Sequence, residues 1–111
     1  MIEDFEALAH LDAIAAIDGI DGFFIGRGDL AVSMGVPSMD GPEVRNAVAR
    51  IAAAAKVGNK TLCATAGSVT EAAWLEKQGV TALIISSDQG FLRVAAAQAL
   101  SDFRRVHPTV N

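Results

Sequence analysis

The apolar residues of this 111-residue chain change period several times between 2 and 3.6, and glycine or proline marks most of the changes. Gly22-Phe23-Phe24-Ile25-Gly26 is a wholly apolar run closed by glycines, and it reads as a buried parallel strand. Lys60 to Thr65 reads as a second strand and Ala82 to Ser86 as a third, also buried. Met1-Ile2 is too short for a strand and reads as the tail of one.

Helical stretches fill the intervals. Phe5 to Ile17 places Leu8, Leu11, Ile14 and Ala15 on one face, with Asp4 able to cap the start and Gly19 and Gly22 breaking the end. Asp29 to Met34 allows a turn or two before Gly35 and Pro37, and Ser38 to Gly41 is a loop. Pro42 suits the first turn of a helix over Glu43 to Val57, with Val44, Val48, Ile51 and Ala55 as its inner stripe and Gly58-Asn59 as a left-handed stop. Ser68-Val-Thr-Glu71 has capping-box spacing and opens a helix to Gln78. Ser87 or Asp88 can cap a last helix over Phe91 to Val106, and the chain is expected to fray after Pro108.

Strand and helix therefore alternate from a strand stub onward, which implies an α/β fold with a parallel sheet. The length suits a single domain over residues 1–111, either a small open sheet or part of something larger. A domain seldom begins two residues before a strand end that carries a charge. The stub thus points to the C-terminal piece of a longer fold.

Half the chain (51%) is apolar, enough for a real core. The formal net charge of −4 and the lack of a basic cluster beyond Arg104-Arg105 argue against nucleic acid and against an anionic membrane surface. The apolar runs are far too short to span a bilayer. No basic n-region precedes an apolar stretch, and the lone Cys63 cannot form an internal disulfide, so a reducing cytoplasmic setting is the simple expectation.

Ligands of parallel α/β folds bind at the carboxyl ends of strands. Glu3 and Asp29 follow adjacent strands, so their carboxylates could converge on one hard cation, with water and substrate oxygens completing its shell. The plainer alternative makes Glu3 and Asp4 the start of a helix and Asp29 the cap of a short one. Gly26 and Gly28 could expose backbone N–H groups to a carboxylate or phosphate, or could simply make a tight turn. Gly26-x-Gly28-x-x-Ala31 also fits a dinucleotide fingerprint, but Gly35 and Pro37 break the helix it should open. Arg27-Gly28-Asp29 spells an integrin-type tripeptide, which reads as chance here. His10 on an exposed helix side and His107 near the end do not look like general bases. Cys63 and Trp74 read as packing residues, and Ser68 as a helix cap.

Taken together, Met1-Ile2-Glu3, the helix holding Ala7-Leu8, the stretch from Ile20 through Gly26-Arg27-Gly28-Asp29-Leu30 to Ser33-Met34-Gly35, and Gly79 to Asp88 resemble the HpcH/HpaI aldolase family. These are metal-dependent 2-keto-3-deoxy acid aldolases related to citrate lyase β-type proteins. The resemblance implies a (β/α)₈ barrel, of which this chain would be about the last three βα units plus a strand stub. It implies Glu3 and Asp29 as metal ligands, for Mg²⁺ or Mn²⁺ first with Co²⁺ also admissible. It implies that the N–H groups of Gly28 and Asp29 hold the carboxylate of a pyruvate-like 2-oxo acid. It further implies a homo-oligomer in which Phe91 to Val106 packs on a neighbour. Arg27-Gly28 departs from the Pro-Ala that is commoner in the family's motif, and Ala31-Val32 from Ser-Ala. The family's catalytic Arg and His base belong to the first half of its barrel and have no counterpart here, so the chain is expected to be a fragment, poorly active or inactive alone. The competing readings are a non-catalytic α/β binding or assembly module, and a nucleotide-binding domain using Gly26 and Gly28.

Overall fold

Three parallel strands form one sheet in the order β1 (Gly22–Ile25), β2 (Thr61–Ala66), β3 (Ala82–Ile85). The computed structural model describes residues 1–108; the fraying expected after Pro108 falls on residues outside that range. Gly22 of β1 pairs with Thr61 and Ile25 with Ala64; Cys63 of β2 pairs with Ala82 and Ala66 with Ile85. The stub expected at the N-terminus is present as a parallel bridge between Ile2 and Ile25. Ile2 N–H donates to Phe24 O at 2.8 Å, and Gly26 N–H donates to Ile2 O at 3.0 Å.

Helices complete the alternation. After a 3₁₀ turn (Glu6–Ala9) comes α1 (Leu11–Ala15); α2 (Arg27–Ser33) and α3 (Pro42–Val57) join β1 to β2; α4 (Val69–Lys77) joins β2 to β3; α5 (Asp88–Val106) follows. The inner stripe read from the sequence is the core itself: Val44, Val48, Ile51 and Ala55 of α3 are fully buried, with Phe23 and Ile25 of β1, Leu62 and Ala64 of β2, and Leu75 of α4. Asn59 takes a left-handed φ of 52°, so it, rather than Gly58, makes the turn into β2.

Local details differ from the sequence expectation. The first helix is not continuous from Phe5 to Ile17 but changes type at His10 (φ −116°). A 3₁₀ turn lines up residues three apart, and Leu8 and Leu11 both enter the core. Helix α5 begins at Asp88, not Phe91, because the Ser87 hydroxyl accepts from Gly90 N–H at 3.0 Å. Strand β3 is not buried: Ile84 and Ile85 are 48% and 57% exposed, and α5 contains no buried residue. An apolar run records that a partner is wanted, not that it lies in the same chain. Among the described residues β3 pairs only with β2.

Candidate metal and substrate site

The Ile2–Ile25 bridge puts Glu3 level with Gly26, at the carboxyl ends of two adjacent strands. A Cβ placed on Gly26 would lie 2.9 Å from Glu3 Cβ and 3.4 Å from Glu3 Oε2. Glu3 thus uses the space that Gly26 leaves free. Its neighbour Asp4 fixes the segment: Asp4 Oδ1 accepts from Glu6 N–H at 2.9 Å and from Ser33 Oγ at 3.2 Å, and Phe5 N–H donates to the same Oγ at 2.9 Å. Ser33 closes α2, so the chain around Glu3 is tied to the helix that carries Asp29.

Asp29 lies in the first turn of α2, where a negative charge is favoured by the helix dipole. It does not cap the helix. Gly26 is the N-cap residue, and the first helical bond runs from Leu30 N–H to Gly26 O at 2.9 Å. The N–H groups of Arg27, Gly28 and Asp29 therefore have no acceptor within the helix. Gly28 is exposed, and a Cβ there would meet nothing within 4 Å. A cleft of about 300 Å³ opens at this point, lined by Gly26, Arg27, Gly28 and Asp29 together with Met39 and Thr65. Glu3 is half-buried and Asp29 exposed, and among the described residues neither carboxylate is hydrogen-bonded to a side chain or N–H. Asp29 lines this cleft beside the open N–H groups, whereas Glu3 is not among its lining residues and sits behind it against Gly26. Among the described residues no cluster of three or more His, Cys, Asp or Glu side chains could hold a metal unaided. With only seven residues, α2 is too short for the dinucleotide reading of Gly26 and Gly28. His10 is exposed and lines no part of the cleft, and neither does His107.

Nothing in the local sequence marks Arg27 as a buried residue, yet it is the one charged side chain buried among the described residues, 6% exposed. Its guanidinium donates to Asp40 Oδ1 at 3.1 Å, to Thr65 O at 3.2 Å and to the Glu71 carboxylate. Glu71 also accepts from Gly67 N–H. The capping box at Ser68 is present, since the Ser68 hydroxyl accepts from Glu71 N–H at 3.1 Å and the Glu71 carboxylate faces the Ser68 N–H, and that carboxylate also takes hydrogen bonds from Arg27 and Gly67. Burial opposes ionisation of Glu71, but the Arg27 guanidinium and the Gly67 N–H outweigh it and hold the carboxyl below its ordinary value. Arg27 and Glu71 stand 44 positions apart, so no local spacing announces the pair.

The profile of the HpcH/HpaI aldolase/citrate lyase family matches residues 1–94. The hydroxypyruvate/pyruvate aldolase of Rhizorhabdus wittichii is 37% identical over 107 residues, which cover 94% of this chain and 43% of that protein. The 5-keto-4-deoxy-D-glucarate aldolase of Enterobacter sp. (strain 638) is 33% identical over 105 residues, covering 94% and 41%. The crystal structure of an HpcH/HpaI aldolase/citrate lyase family protein from Burkholderia cenocepacia superposes with a TM-score of 0.85 at 32% identity, over 93% of this chain and 40% of that one. The chain spans about two fifths of the length of these relatives. Its parallel strands and intervening helices correspond to the C-terminal portion of their (β/α)₈ barrel. With a profile match over most of its length and aldolase relatives above 30% identity, the chain belongs to the HpcH/HpaI aldolase/citrate lyase family.

Proposed function

We propose that this chain, as a single partial-barrel domain, supplies the cation- and carboxylate-binding part of a class II aldolase. The reaction is cleavage of a 2-keto-3-deoxy or 4-hydroxy-2-oxo acid to pyruvate and an aldehyde. The names of the two curated relatives, both aldolases, support this class of chemistry. One observation carries the reading: Glu3 and Asp29 follow adjacent strand ends on either side of Gly26, with free N–H groups alongside.

Glu3 and Asp29 would hold the divalent cation, Mg²⁺ or Mn²⁺. When bound, it supplies Lewis-acid charge opposite the oxyanion that develops as the carbon–carbon bond breaks. The chain's own groups bind and orient. The N–H groups of Gly28 and Asp29 hold the 2-oxo acid carboxylate, and the bare Cα of Gly28 lets it approach the backbone. Cleavage also needs a base to take the proton of the C4 hydroxyl. We also infer a homo-oligomer formed through α5, whose Phe91, Leu92, Val94 and Phe103 are all more than half exposed.

The test is NMR relaxation of the pyruvate methyl protons in the presence of Mn²⁺. The chain should broaden the methyl line beyond what free Mn²⁺ does, and Asp29→Asn should remove the excess. Equal broadening with and without the chain would refute the proposal.

A further inference from the structure

Arginine is an unfavourable choice for the first position of α2. A helix N-terminus repels a cation, and a guanidinium taken out of water must find acceptors. Arg27 finds them on three separate segments: Asp40 in the loop between α2 and α3, Thr65 near the end of β2, and Glu71 in the first turn of α4. The loop is gripped a second time, since Arg45 Nε donates to Asp40 O at 3.0 Å while its guanidinium lies 4.7 Å from the centroid of the Trp74 ring. Met39, next to Asp40, walls the cleft beside Gly28 and Asp29. The carboxylates of Asp40 and Glu71 face the Arg27 guanidinium, so its charge is compensated within the cluster.

We propose that Arg27 is the positioning residue of this site. It fixes the first turn of α2, and with it the Gly28 and Asp29 N–H groups and the Asp29 carboxylate, against the ends of β2 and α4. It also keeps Met39 in place as the cleft wall. The inference rests on the reading of Glu3 and Asp29 as cation ligands.

The test uses the whole chain and two readouts, amide hydrogen exchange without metal and Mn²⁺ titration. In Arg27→Met the Leu30, Gly41 and Gly67 amides should exchange much faster while those of Ile51 and Ala64 keep their protection. Mn²⁺ should bind about tenfold more weakly, the usual loss when a group supporting a metal ligand is removed. Arg27→Lys, which can reach one carboxylate but not all three acceptors, should recover part of both. If Arg27→Met does not fold, Glu71→Gln takes its place with the same two expectations. A folded variant with wild-type exchange at Leu30 and wild-type Mn²⁺ affinity would overturn the inference. Asp29→Asn separates the two ideas. If it binds Mn²⁺ as the wild type does, the cation reading fails, and the positioning role then stands or falls on the exchange data alone.

Discussion

Ile2 and Ile25 lie side by side in parallel register, and this brings Glu3 against Gly26 with no room for a side chain between them. Gly26 has an ordinary φ of −89°, so the constraint is space and not backbone strain. Gly26→Ala should displace Glu3 and loosen the stub, at a cost of about 1–3 kcal/mol in urea unfolding. Gly28→Ala should do the opposite. Its Cβ meets nothing, and alanine favours a helix over glycine by about 0.5–1 kcal/mol. That variant should be as stable as the wild type or more so, yet bind pyruvate less well because the methyl group crowds the Gly28 and Asp29 N–H groups.

A second prediction concerns acid. The Glu71 carboxyl is held below its ordinary value in the folded chain, so its ion pair with Arg27 contributes stability that is complete above the unfolded glutamate value of about 4.3. That contribution is lost as pH falls through the lower, folded value. Glu71→Gln should therefore lower Tm at pH 7 and flatten its dependence on pH in the acid range. Thermal unfolding followed by circular dichroism from pH 7 to pH 3 checks this. Parallel acid profiles for the two proteins would contradict it.

A third concerns assembly. Helix α5 runs for 19 residues with none buried, and β3 keeps Ile84 and Ile85 open to solvent. Apolar surface of this kind marks an interaction surface. Multi-angle light scattering should report a mass well above 11.5 kDa. A clean monomer at high concentration would refute assembly through this helix.

The parts of the fold legible in the sequence are those fixed by neighbours along the chain. The glycine-bounded run Gly22–Gly26 and the short stretches at Lys60 and Ala82 mark the strands, and the Val44–Val48–Ile51–Ala55 stripe marks the core face of α3, because side-chain period is a local property. The positions of Glu3 and Asp29 at adjacent strand ends followed from topology alone. The Arg27 cluster did not, because its acceptors at Asp40, Thr65 and Glu71 come together only once β1, β2 and α4 are side by side. The exposure of β3 was hidden for a related reason: Ala82 to Ile85 is as apolar as a buried strand, and burial depends on a partner that its own residues do not specify.

Cation binding by this chain requires Glu3 and Asp29 to share one ion, and isothermal titration of Mn²⁺ into the wild type, Glu3→Gln and Asp29→Asn tests that directly. The wild type should bind one Mn²⁺ per chain, and each single substitution should abolish the heat signal while leaving the circular dichroism spectrum unchanged. Retention of wild-type affinity by either folded variant would contradict it, because an ion that ignores the loss of one carboxylate is not held by both.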